Sequence, residues 1–120
     1  MRDLLSVKFA ALADPTRRSL LARLRKGPAT VNTLAEPLLK DMTLPAVTKH
    51  LKVLEKAELI TRTRDAQYRP CHLSAGALRD VDDWIEPFRA MWEEQLDRLG
   101  EFLEAKQKTK AKPSRKPGKK

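Results

Sequence analysis

A chain of 120 residues with 41% hydrophobic content has room for one domain around one modest core. No apolar run is long enough to span a bilayer, no cleavable leader pattern follows "MRDLLSVKFAALADP", and Cys71 as the sole cysteine excludes an internal disulfide or a cysteine-rich metal cluster, so a cytoplasmic protein is expected. The net charge of +9 is concentrated at one end: residues 106–120 hold eight basic side chains and no acid, leaving seventeen basic against sixteen acidic residues over residues 1–105.

Residues 3–13 carry Leu4, Leu5, Val7, Phe9, Ala10, Leu12 and Ala13, dense enough for a short buried helix. "ADPTRRSLLARLRKGP" places Asp14 at an N-cap and Pro15 at the first helical position, turns Leu20, Leu21 and Leu24 inward, and stops at Gly27. "ATVNTLAEPLLKDM" opens extended and continues into a short helix carrying Leu34, Ala35, Leu38 and Leu39. Thr43 caps the next helix, with Pro45 in its first turn, where a missing N–H is harmless. In that helix Val47, Leu51 and Leu54 recur at i, i+4 and i+7 as one inward stripe, while Thr48, Lys49 and Lys52 fall off it.

The period then changes. In "LITRTRDAQYRPCHLS", alternation through Arg64, a break over residues 65–67 and a second run from Tyr68 to Leu73 predict a β-hairpin. Helical spacing returns in "LSAGALRDVDDWIEPFRAMWEEQLDRLGEFLEAKQ", with Ser74 as cap, a row from Leu78 to Phe102 as the apolar face, and Pro87 expected to kink or split the helix. The last segment, "KQKTKAKPSRKPGKK", has no large apolar residue and two prolines. It cannot bury enough surface to fold and is expected to be a disordered basic tail, serving phosphate affinity or solubility. The division is therefore a folded domain over residues 1–105 and a tail over 106–120.

The order of helices, short turn, helix, hairpin and long helix is that of a winged helix-turn-helix, a mainly α architecture with a small β-hairpin. Its second paired helix enters the major groove of DNA, which makes Thr43, Pro45, Ala46, Thr48, Lys49, His50 and Lys52 the candidate contacts. In the wing, Arg62, Arg64, Gln67 and Arg69 straddle the turn as candidate backbone contacts, and Arg17 and Arg18 stand at a helix start where they could touch phosphates. His50 flanks the core stripe, so it fits either a half-buried histidine tying its helix to a neighbour or a DNA contact. Cys71 fits a structural thiol, since no second cysteine could resolve an oxidised one.

The stretches "FAALADPTRRSLLARLRKG", "TLAEPLLKDMTLPAVTKHLKVLEKAELI", "TRTRDAQYRPCHLS" and "WIEPFRAMWEEQLDRL" together resemble the ArsR family of bacterial transcriptional repressors over roughly residues 3–104. The resemblance implies a homodimer joined through its first and last helices, bound to an inverted-repeat operator that is often its own promoter. Leu4, Leu5, Phe9, Trp84, Phe88, Trp92, Leu96 and Leu99 are the candidate interface residues.

The family's metal ligands do not carry over. Where its thiolate sensors have Cys-Val-Cys this chain has Thr30-Val31-Asn32, and the last helix holds Asp80, Asp82, Asp83 and Glu86 without a histidine. No metal and no cofactor are expected, and the wing departs from the family's Asp-Gly-Arg tip at Ala66 and Gln67. An inducer, if one exists, would be an unknown small molecule, with the Trp84, Phe88 and Trp92 stripe as either its pocket or a dimer seam.

Enzyme chemistry has little to stand on, with no Gly-rich phosphate loop among four glycines in all and no His/carboxylate cluster at metal spacing. The alternatives to a DNA-binding repressor are a winged helix used only for protein contacts, which the arginine-rich wing disfavours, and a metal- or redox-responsive repressor.

Overall fold

The computed structural model describes residues 3–63 and 69–109. In chain order these form α1 (Leu4–Leu12), α2 (Pro15–Leu24), α3 (Val31–Ala35), a 3-10 turn (Glu36–Leu38), α4 (Leu44–Lys56), β1 (Ile60–Arg62), β2 (Cys71–Leu73) and α5 (Arg79–Thr109). They fall into two compact units, one ending at Val81 and the other beginning at Asp82. The division follows burial: Ala77 and Val81 are the last buried apolar residues, and the helix beyond them exposes its large side chains.

Local chemistry sets each helix start. Asp3 caps α1, accepting from the Ser6 N–H at 3.1 Å and its hydroxyl at 2.7 Å. Asp14 accepts from Thr16 N at 2.7 Å and Arg17 N at 3.3 Å, with Pro15 opening α2. Thr30 caps α3 and Thr43 caps α4. The third helix is shorter than its apolar spacing suggests. Pro37, which has no N–H to donate, turns it into a 3-10 segment, and Leu39 points outward.

The core of the first unit draws on α1 to α4 and both strands. Leu34, Val47, Leu51, Leu54, Leu59, Ile60 and Cys71 are all at most 2% exposed in the chain, with Leu20, Leu21 and Leu24 of α2 packed against them. Each such large apolar side chain stabilises the fold by about 1.5–3 kcal/mol relative to exposure. β1 and β2 pair antiparallel with Ile60 opposite Leu73, Thr61 opposite His72 and Arg62 opposite Cys71. Ala29 bridges the other edge of β2, exchanging both backbone hydrogen bonds with Cys71 at 2.8 and 3.1 Å, a third short strand position that sequence alternation did not reveal.

Several expectations are corrected. The first helix is not uniformly buried: Leu4 and Phe9 are exposed, and the buried positions are Ala11 and Lys8. Lys8 lies 5% exposed because its ammonium donates to the Ala77 carbonyl at 2.7 Å and to Asp80 at 2.9 Å. Ser74 does not cap α5. Gly76 adopts φ +67°, a left-handed conformation that closes a separate turn, and the helix starts only at Arg79. Pro87 does not split α5, which is continuous from Arg79 to Thr109 with the proline inside it. That helix also runs through Thr109, so residues 106–109 are helical where a disordered tail was expected; residues 110–120 lie outside the described residues.

Candidate nucleic-acid interface

α3, the turn after it and α4 make a helix-turn-helix. The turn is closed by Asp41 N and Met42 N donating to the Leu38 carbonyl at 2.9 and 3.0 Å. α4 packs on α1, α2, α3 and β1, and its whole inward stripe of Val47, Leu51 and Leu54 is 0% exposed. That packing leaves the opposite face in solvent. Pro45, Lys49 and Lys52 are exposed there, with Ala46 and Thr48 half-buried beside them and Thr43 exposed at the helix start. Leu44, Pro45, Thr48, Lys49 and Lys52 together line a shallow groove of about 460 Å³. Leu44 was not among the expected contacts. Spaced i, i+3 and i+7 with Val47 and Leu51, it reads as a continuation of the core stripe, and its exposure is visible only in the structure.

His50 and Arg17, expected as separate contacts, are brought together. Arg17 Nη1 lies 3.1 Å from His50 Nδ1, while Arg17 Nε donates to Ala11 O at 2.7 Å and Nη2 to Ala10 O at 3.2 Å. Its side chain is only 17% exposed. Arg17 thus ties the end of α1 to α4 instead of facing outward. Asp14 sits 3.9 Å from the same guanidinium. Burial pushes its carboxyl up, but the N–H groups of Thr16 and Arg17 and the charge of Arg17 outweigh that and hold it below the usual carboxylate range. Arg18 Nη1 donates to Leu12 O at 2.7 Å on an exposed edge.

The wing divides. Arg64 and Gln67 lie outside the described residues, as does the expected tip. Arg69 is exposed, with φ +40°. Arg62, expected on the DNA side, belongs to the inner face: strand alternation puts it with Ile60, Cys71 and Leu73, and its Nε and Nη2 are buried without a hydrogen-bond partner among the described residues. Cys71 beside it is fully buried. Burial pushes its thiol up, against the opposing pull of Arg62.

The candidate interface residues of the last helix form an exposed apolar face of their own. Trp84, Phe88, Trp92, Leu96 and Leu99 are 41–62% exposed, and Met91, Phe102 and Leu103 extend the same surface. Trp84 and Phe88 stack with ring centroids 4.9 Å apart, tilted by 40°. Arg89 engages both Asp82 and Glu86, and Asp80 is held by Lys8. Three of the four carboxylates at the head of the helix are therefore paired. Among the described residues, no group of three or more His, Cys, Asp or Glu side chains is placed to hold a metal ion. Nor is any helix among them long and apolar enough to cross a membrane.

Comparison with known proteins agrees with this geometry. The model of a helix-turn-helix domain family matches residues 12–63. The transcriptional repressor SdpR of Bacillus subtilis (strain 168) is 34% identical over 80 residues, covering 67% of this chain and 87% of that protein. The crystal structure of the ArsR family transcriptional regulator RHA00566 superposes with a TM-score of 0.68 at 40% identity, over 76% of this chain and 98% of that one. The homodimeric winged helix-turn-helix DNA-binding domain of Mb0332 from Mycobacterium bovis shares the fold, with a TM-score of 0.56 at 21% identity, over 80% and 84%.

Proposed function

Because the chain belongs to the ArsR family of winged helix-turn-helix transcriptional regulators, we propose that it acts as a homodimeric repressor, with α4 in the major groove of an inverted-repeat operator at its own or a neighbouring promoter. The observation that carries this is the division of α4: a fully buried stripe at Val47, Leu51 and Leu54 fixes the helix, and the opposite face offers Thr48, Lys49 and Lys52. A helix of this width enters a groove about 12 Å across. The exposed wing residue Arg69 supplies a phosphate contact that helps set register.

The apolar face of α5 supports the dimer. Leu96 at 62% exposure, flanked by Trp92 and Leu99, is a surface that a single chain leaves in water and a second copy would bury. Two-fold symmetry then puts the two recognition helices about one helical turn of DNA apart, roughly 34–36 Å.

Selection of bound sites from random duplexes, followed by footprinting, tests this function. A two-fold symmetric footprint is the supporting result. Thr48→Ala and Lys49→Ala should each lower the preference for the selected site over random DNA by roughly 1–3 kcal/mol. An unchanged ratio for both variants would remove α4 from the role of reader.

A further inference from the structure

The outer groove of α4 has a composition that narrows which bases it can read. Its lining is one Leu, one Pro, one Thr and two Lys. It contains no Asn or Gln, the side chains that meet adenine's N6 donor and N7 acceptor together, and no carboxylate to accept from cytosine N4. What it offers instead is methyl and methylene surface beside ammonium groups. Leu44, at the edge of the core stripe, is 40% exposed, and Pro45 is exposed next to it. The apolar surface that the core leaves uncovered on these two side chains stays in water until something covers it.

We infer that Leu44, Pro45 and the methyl group of Thr48 read the 5-methyl of thymine, while Lys49 and Lys52 read the N7 and O6 acceptors of guanine. This rests on the placement of α4 in the major groove. On the helix, residues 45, 48, 49 and 52 share one face, with Leu44 at its edge near the N-terminus. Methyl contact is therefore concentrated toward the start of α4, and the two ammonium groups lie together along the same face. Each half-site accordingly carries a thymine beneath the first turn and a guanine beneath Lys49 or Lys52. Leu44, which no motif singles out, becomes a specificity-determining residue.

The test alters the DNA, so it does not depend on a variant folding. In a duplex selected by the full chain, each thymine is replaced in turn by deoxyuridine, which removes only the methyl group, and each guanine by 7-deazaguanine, which removes N7. One thymine per half-site should lose about fourfold in affinity as uracil, the value of one buried methyl, and one guanine should weaken on loss of N7. Leu44→Ala, checked for an unchanged melting temperature, should bind the thymine and uracil duplexes alike, and Leu44→Gln should shift the preferred base toward adenine. Equal binding of thymine and uracil duplexes by the unaltered protein overturns the inference, as does a thymine preference that survives Leu44→Ala. If selection returns no preferred duplex at all, it is the placement of α4 in the groove that fails, and the methyl code falls with it.

Discussion

Arg17 reaches across from α2 to α4 and places Nη1 3.1 Å from His50 Nδ1. A guanidinium has only donors, so the histidine nitrogen accepts and its ring proton belongs on Nε2. The same arginine satisfies the Ala10 and Ala11 carbonyls at the end of α1. Arg17→Ala should therefore destabilise the chain by about 1.5–3 kcal/mol, as expected for hydrogen bonds to a charged, largely buried group, measured by urea unfolding. The slope of log affinity against log salt should stay unchanged. A slope shallower by about one, with stability intact, would instead assign Arg17 to a phosphate.

The Lys8–Asp80 pair gives the fold an acid-sensitive contact. The hydrogen bond from Lys8 holds the Asp80 carboxyl below its ordinary value of 3.8, with the lysine charge adding to the effect against a smaller opposing push from burial. A carboxylate depressed in the folded state stabilises it above the unfolded value, and that contribution is lost as pH falls through the folded one. Asp80→Asn should thus lower the unfolding midpoint at pH 7, with the gap to the parent closing below about pH 4. A gap that persists at pH 2 would mean that packing, not charge, holds this contact.

Much of the fold was legible because its signals were local. The caps at Asp14 and Thr43 and the Val47, Leu51, Leu54 stripe depend on residues a few positions apart, and the structure has them as read. What escaped were features set by distant partners or by one backbone conformation. The burial of Lys8 requires Ala77 and Asp80, about seventy positions away. The delayed start of α5 turns on the positive φ of Gly76. The candidate interface was legible as a helix face, but the inward turn of Arg62 depended on strand register, and period-two alternation in a three-residue strand does not say which face is core.

The proposed dimerisation through α5 leads to a direct expectation. Replacing Leu96 by Lys puts a charge on the most exposed apolar residue of the face without removing any contact from the buried core. Sedimentation equilibrium at micromolar concentration should shift the chain from dimer to monomer. Operator affinity should fall by at least about tenfold, since one half-site loses its tethered partner. A dimer that persists would move the interface off this part of the helix.

Residues 110–120 contribute six basic residues and no acidic one. With no large apolar side chain they have nothing to add to a core, so their deletion should leave the melting temperature and the choice of site unchanged. Each phosphate that they neutralise adds about 0.9 to the salt slope. The truncated chain is expected to show a slope shallower by at least about one unit in binding titrations over a range of salt. An unchanged slope would assign the segment to solubility.

Zinc, cadmium and arsenite should fail to release the protein from DNA at stoichiometric amounts. A metal shifts the equilibrium only if deprotonated ligands hold it more tightly in the released conformation than in the bound one. Thr30, at the position of a family thiolate, uses its hydroxyl to cap α3, and Asn32 offers no soft donor. On α5, Asp80 is held by Lys8 and both Asp82 and Glu86 by Arg89, so a cation would have to displace existing ion pairs to recruit them. His50 already accepts from Arg17. Cys71 is fully buried and burial raises its thiol pKa, which disfavours the thiolate that a thiophilic metal needs. Titration of each metal into a labelled operator complex should leave the complex intact at one and two equivalents. Its loss at that ratio, abolished by Cys71→Ser or by neutralising Asp82 and Asp83, would make the chain a metal sensor with ligands recruited by rearrangement.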